Sequence, residues 1–370
     1  MNKISRRDFL MAAGVSAAAL GLSACGSAST AASTAASSKA ASTAASSAAA
    51  SAAAAANDPK VELVFTSVSV TGDSHTDAMK TFADSVAELS GGSVTCKVYS
   101  DGTLFSSENE LDAVLQGSAA GGADIAYISF PTLSTQKGLE WCSMINSAYF
   151  WSSEDHMTKV LNSDDLGKTI FKAVSDNTNL TPLGAFYLGV RCVNTVKKQI
   201  NAYADMSGLL LRMPNSEAWL DLGKALGANP TPLSFSELYT ALQTGTVDGQ
   251  ENPLPTDVSA KFYEVTKFLA MTNHVVDSIL PCICTTTWNS MTAAQQEAVQ
   301  GAMDAARDTN DTERKDAESK DKDILTQNGL TITEPDLSEF KSKAQDYYQN
   351  VSTLTSNWDW DLYKKIQAAV

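Results

Sequence analysis

From Asp58 onward this chain alternates strand patterns with amphipathic helix patterns, and that rhythm leaves few architectures open. Val61 to Val68 reads as a strand, Thr76 to Leu89 as a helix with Ala, Phe, Val and Leu on one face, and Ser93 to Tyr99 as a second strand. Ser107 to Leu115 then reads as a helix and Asp124 to Ser129 as a third strand. Such alternation predicts an α/β fold on a mostly parallel, covered sheet. With 370 residues, 44% of them hydrophobic, the chain can bury one large core or two medium ones. In sheets of this kind a ligand sits beyond the carboxyl ends of the strands. Those ends are Thr66 to Ser69, Ser100 to Ser106 and Ser129-Phe130. They are small or hydroxylated, which suits a polar solute, though Ser and Thr are common in any loop.

Further along, two arginines sit where a charge is costly. Arg212 ends the apolar run Leu209-Leu210-Leu211 and precedes Met213-Pro214, and Arg191 lies inside the strand-like AFYLGVRCVN. Arginine does not discharge in proteins, so a guanidinium in an apolar strand needs a carboxylate or phosphate beside it. Two readings meet that need. Each arginine either pairs with an Asp or Glu of the protein itself or waits in a pocket for an anion. The other arginines beyond residue 24, Arg307 and Arg314, fall in a very polar helix.

The remaining elements follow the same signals. Asp164 to Asp176 predicts a helix, Leu180 to Val193 a strand pair, Thr195 to Met206 a surface loop with a short helix, and Ser216 to Leu226 a helix. Ser234-Phe235-Ser236-Glu237 has the form of a capping box opening a helix over Phe235 to Thr244, which Gly245 ends. Thr246 to Gly249 reads as a short strand that leaves Asn252 at a strand end, followed by Pro253. Val275 to Thr287 reads as a strand region and Thr292 to about Gln327 as a long helix whose charge run is a solvated face. An edge strand over Leu330 to Thr333 and a helical tail over Leu337 to Tyr363, pinned by Trp358 and Trp360, complete the body.

The stretch Ser207 to His274 contains LLLRMP, then LGANPTPLSFSELYTALQTGTVDGQENPL, then KFYEVTKFLAMTNH. In order and spacing it resembles the solute-binding proteins of tripartite ATP-independent periplasmic (TRAP) transporters, the DctP-like family; a weaker likeness runs from about Val61 to the C-terminus. The resemblance implies a two-lobe periplasmic-binding-protein-like fold with mostly parallel sheets, a cleft between the lobes and a long bracing helix. Lobe I would comprise 58–188 and 278–317, and lobe II 189–277 and 318–370. It also implies that Arg212 holds a ligand carboxylate through its planar fork, that Arg191 contacts the same or a second anionic group, and that Asn252 and Phe235 complete the wall. Hydroxyls of Ser67, Ser69, Ser107 and Ser129 would contribute from lobe I. Glu251 has a structural alternative as the buried partner that orients an arginine. The implied activity is capture of a small organic acid by a monomer without cofactor or metal, followed by delivery to TRAP-type permease subunits driven by an ion gradient. A sensing lipoprotein feeding a membrane signalling protein is the alternative of the same fold. YSDGTLFSS replaces the family's usual turn after the second strand, Ala119 to Gly122 looks inserted, and these loops hold few acidic or amide groups. Those departures favour a shorter acid, such as a C4-dicarboxylate or keto acid.

Residues 1–24 read as a leader. Ser5-Arg6-Arg7-Asp8-Phe9-Leu10 is a twin-arginine export signature, and Phe9 to Leu22 is too short to span a bilayer. Leu22-Ser23-Ala24-Cys25 looks like a lipoprotein cleavage box, so Cys25 is expected to carry the lipid that tethers the protein to the outside of the cell membrane. Residues 25–57, Ala-, Ser- and Thr-rich, then form a flexible linker. The chain carries −15, and the leader's three basic residues against one acidic leave −17 for the rest, which argues against nucleic acid as a partner. Five further cysteines, Cys96, Cys142, Cys192, Cys282 and Cys284, leave at least one thiol free or intermolecular and read as buried small hydrophobes. His75, His156 and His274 show no metal spacing, and there is no nucleophile elbow or phosphate loop. A surface hydrolase using Asp248 and Glu251 would lack a recognisable acid/base spacing.

Overall fold

The computed structural model describes residues 57–369; the leader, Cys25 and the linker through residue 56 lie outside them. Ten strands occur among the described residues: β1 (Val61–Thr66), β2 (Val94–Tyr99), β3 (Ile125–Ile128), β4 (Leu180–Pro182), β5 (Phe186–Thr195), β6 (Leu210–Met213), β7 (Asn229–Pro232), β8 (Gly249–Pro253), β9 (Phe268–Cys284) and β10 (Thr331–Thr333). They order as β2-β1-β3-β9-β5-β8-β6-β7, with β4 and β10 also pairing with β9. The flanks carry four of the five parallel pairings, β1 with β2 and β3 and β6 with β7 and β8, and the fifth joins β10 to the start of β9. The middle is antiparallel, through β5 and β9.

Strand β9 belongs to both lobes. Its C-terminal part pairs with β3 and β4, and its N-terminal part with β10, while β5 runs beside it from Phe186–Ile279 to Thr195–Phe268. The sequence places the start of this strand at Val275, yet it begins at Phe268. Thr272-Asn273-His274 interrupts the apolar run, and the β5 register breaks there, between the Arg191 and Val193 pairings. Asn273 sits in the left-handed region at φ 45°.

Local chemistry fixes the neighbouring elements. Asp73 caps the helix Ser74–Leu89, its carboxylate accepting from the His75 N–H at 3.0 Å. Met79, Phe82 and Val86 recur at helical spacing and bury against Leu63 and Phe65 of β1. The helix Phe235–Thr244 spans the residues its pattern predicts and ends at Gly245, whose φ of 74° favours glycine. Its expected capping box does not form: the Ser234 hydroxyl donates to the Glu237 carboxylate at 2.7 Å instead of accepting from the helix backbone. At Gly249 a Cβ would lie 2.6 Å from the Asn194 carbonyl oxygen, so β8 can meet β5 only through glycine.

The helix Ala293–Gln327 has 35 residues and opens with a capping box of Thr292 and Gln295. At 1.5 Å per residue it runs roughly 50 Å, past both lobes. Its first half packs Val299, Ala302 and Met303 beside Phe82. Its charged half is not merely a solvated face: Arg314 is 1% exposed and fully engaged, donating to Asp73 at 2.8 Å, to Thr256 at 2.6 Å and to the Leu188 carbonyl at 2.6 Å. The tail touches both cores, with Phe340 beside Leu211 and Trp219, and Ile366 beside Leu133 and Met157. Trp358 is buried there; Trp360, tilted against it with ring centroids 5.3 Å apart, stays half exposed.

Candidate functional site

A cavity of about 410 Å³ lies between the lobes, and the eight side chains expected to meet a ligand all line it. The strand ends place them. Arg212 reaches it from β6, Arg191 and Asn252 from the β5–β8 ladder, and Phe235 from the first turn of its helix. Ser67 and Ser69 follow β1, Ser129 follows β3, and Ser107 precedes the helix Glu110–Gln116.

The two arginines have opposite surroundings. Arg191 is saturated: Glu251 takes its Nε–H at 2.5 Å and an Nη2–H at 2.7 Å, Asp277 takes Nη1 at 2.9 Å, and Asn252 Oδ1 accepts at 3.1 Å. Its guanidinium carbon stands 4.7 Å over the Trp219 ring. Burial works against this charge, but Glu251 and Asp277 outweigh it and hold the pKa above its usual value. Glu251 shows the converse, since burial raises its pKa yet Arg191 and His274 bring it down to about 2. The internal salt-bridge reading therefore holds at Arg191, with Glu251 as the orienting acid.

Arg212 is 2% exposed, and its Nε–H donates to the Leu233 carbonyl at 2.8 Å. None of the ion pairs among the described residues includes it. Burial pushes its pKa down to about 10, and the Arg191 charge adds to that; Glu251 and Glu108 pull the other way. The Phe235 ring lies 5.9 Å from its guanidinium carbon and leans on Phe262 at 5.8 Å. A buried cation with its fork unspent, at the wall of a cavity, has the chemistry to pair with an anion.

The serines expected from lobe I already have hydrogen-bond partners close by. Ser67 Oγ accepts from the Ser69 N–H at 3.0 Å, Ser129 Oγ accepts from the Thr132 N–H at 3.2 Å, and Ser107 Oγ donates to Glu108 at 3.0 Å. Sequence reasoning missed what stands beside them. Asp73, His75, Glu108, Glu110, Asp112, Gln136 and Asn215 also line the cavity, so acidic and amide groups do reach it, most of them from the starts of helices and Gln136 from the turn after one. Asp73, an Asp just before the helix that begins at Ser74, carried the residue type of a cap; Glu110 gave no signal. Trp219 is 4% exposed and lines the cavity as well.

Asp248 and Glu251 are both committed to structure, Asp248 by accepting from the Leu210 N–H at 3.0 Å. All five cysteines among the described residues are free thiols, four of them buried. Burial pushes Cys192 up to about 12, and its Sγ turns to Asn273 at 3.2 Å. A larger groove, about 940 Å³, is lined by Tyr149, Phe150, Trp151 and Tyr363. It contains no buried cation; its Lys341 ammonium sits 5.6 Å over Tyr149. The smaller cavity holds the chemistry. No helix among the described residues is long and apolar enough to cross a membrane.

Residues 65–353 match the family described as bacterial extracellular solute-binding protein, family 7. The sialic acid-binding periplasmic protein of Vibrio cholerae is 33% identical over 273 residues, 74% of this chain and 83% of its own length. The C4-dicarboxylate-binding protein of Bacillus subtilis is 28% identical over 237 residues, 64% of this chain and 65% of its own. A crystal structure of a TRAP periplasmic solute binding protein from Roseobacter denitrificans, with bound 3-deoxy-D-manno-oct-2-ulosonic acid, aligns with a TM-score of 0.78 at 35% identity. That alignment covers 84% of this chain and 100% of the other.

Proposed function

Because the chain belongs to the DctP family of bacterial extracellular solute-binding proteins, which are transport proteins and not enzymes, we propose that it captures a small hydroxylated monocarboxylic acid between its lobes and delivers it to a TRAP-type membrane permease. The observation that carries this reading is the contrast between two buried arginines on one cavity, Arg191 clamped by two carboxylates and Arg212 open. Arg212 takes the ligand carboxylate in a two-pronged pair. A second ligand carboxylate finds no second open cation, because Arg191 is spent, and it meets the acidic Asp73 and Glu108 among the lining residues. The reading of a shorter dicarboxylate gives way on that ground to an acid whose other end carries hydroxyls. The sialic acid and 3-deoxy-D-manno-oct-2-ulosonic acid in the names of the relatives fit that description.

In this reading 58–188 with 278–317 and 189–277 with 318–370 are the two walls, and the ligand shifts them together because it touches both. Cys25 carries a lipid, and the Ala/Ser/Thr-rich linker sets the receptor off from the membrane beside its permease. Titration calorimetry against sialic acid, 3-deoxy-D-manno-oct-2-ulosonic acid, L-galactonate and succinate tests the site. A hydroxy acid binds and succinate does not, and Arg212→Ala weakens the tightest binder roughly 10²- to 10³-fold. Tight succinate binding, or Arg212→Ala within a few-fold of wild type, overturns the reading.

A further inference from the structure

Seven buried side-chain polar atoms among the described residues have no hydrogen-bond partner, and two of them belong to residues on the cavity wall, Glu110 Oε1 and His75 Nε2. Glu110 is 5% exposed, no cation pairs with it, and only the Val68 backbone engages its carboxyl group. Its helix neighbours Leu111 and Val114 are locked into the core, so the position is rigid. Burial and the adjacent Glu108 push its pKa well above the usual carboxylate value, which favours a neutral group able both to donate and to accept. At His75 the tautomer follows from the neighbours. Asp73 is an ionised acceptor because Arg314 holds it at 2.8 Å, so His75 Nδ1 carries the proton it shares with Asp73 at 3.1 Å. Nε2 is then left with a lone pair.

An unsatisfied buried oxygen or nitrogen destabilises the empty protein, so it calls for an occupant. We propose that Glu110 is the specificity-determining residue of the lobe I wall, hydrogen-bonding a hydroxyl of the bound acid, with His75 Nε2 accepting a second. This rests on the reading that Arg212 holds the ligand carboxylate. A plain dicarboxylate brings no hydroxyl to donate to His75 Nε2 and leaves that atom unpaired, which is how a polar site rejects an analogue lacking the hydroxyl.

The test uses Glu110→Leu, Glu110→Gln and Arg212→Ala in the mature chain. Each is titrated with sialic acid, 3-deoxy-D-manno-oct-2-ulosonic acid, L-galactonate, D-glucuronate and succinate, and melted without ligand. At least one hydroxy acid binds the wild type. Glu110→Leu weakens the tightest of them at least ten-fold while the ligand-free melting temperature holds or rises; where that variant does not fold, Glu110→Gln must show at least a five-fold loss. Smaller losses with Arg212→Ala still crippled overturn the Glu110 assignment alone. Affinity lost together with ligand-free stability marks a scaffold role and overturns it too. Near-normal binding by Arg212→Ala, or no binding of any hydroxy acid by the wild type, overturns the underlying site as well.

Discussion

Arg191 and Glu251 meet in a two-pronged pair, Nε to Oε2 at 2.5 Å and Nη2 to Oε1 at 2.7 Å, on adjacent antiparallel strands. The pair is sealed from water, with Glu251 wholly buried and His274 Nε2 at 3.1 Å from its Oε2. It acts as internal furniture of the site, and it leaves Arg212 as the charge without an acid of its own.

Substitution by methionine separates those roles. Arg191→Met strands Glu251 and Asp277 and costs about 3–5 kcal/mol of folding stability. Arg212→Met removes a buried charge whose one hydrogen bond is to the Leu233 carbonyl, so stability stays within about 1 kcal/mol or rises, while acid binding is lost. Urea unfolding compares the two. Equal destabilisation would show that Arg212 is part of the scaffold.

Among the groups near the site, Glu251 and Asp257 pull the pH dependence of stability in opposite directions. Glu251 titrates at about 2 in the fold, below its ordinary 4.5, so its contribution is complete above that ordinary value and disappears as the pH falls through 2. Asp257 is the reverse. Burial pushes it from 3.8 up to about 7, despite hydrogen bonds from Asn194 and Gln250, so its contribution is complete below 3.8 and is lost as the pH rises through 7. Urea midpoints should therefore fall between about pH 5 and pH 7 in the wild type, and Asp257→Asn should make that decline shallower.

Arg314 ties the lobes together from the long helix. It holds Asp73, which also receives the Ser259 hydroxyl at 3.1 Å, and it reaches Thr256 on the helix Leu254–Ser259. Arg314→Met leaves Asp73 buried without its cation and costs about 3–5 kcal/mol. Small-angle scattering should show a larger radius of gyration, and acid affinity should fall. Thr256→Val removes one hydrogen bond, costs about 1 kcal/mol, and shifts both readouts less.

The anchor is tested apart from the site. Cys25→Ala should move the protein from the membrane fraction to the soluble one and abolish its labelling by radioactive fatty acid, with acid affinity unchanged. Membrane association that survives the substitution removes Cys25 as the tether.

Much of this was legible in the chain, and the gaps have physical causes. Helix Phe235–Thr244 and strand β1 follow from local period and punctuation, and Gly245 marks its stop in plain view. The early half of β9 was hidden because Thr272 and His274 are polar, yet both are buried, His274 on Glu251. No local pattern could separate Arg191 from Arg212, since each sits in an oily strand; the difference lies in Glu251 and Asp277, which arrive from other strands. Arg314 and Glu110 were obscured for the same reason. A charged residue on a polar helix looks solvated until the wall that covers it is known.

Strand β9 leaves the molecule without a seam. One uninterrupted run, Phe268–Cys284, supplies a central rung to each half, and the long helix is laid across both. No single cut in the chain therefore yields a fragment with a finished sheet, and either half expressed alone would be left with a raw edge where the other half's backbone belongs.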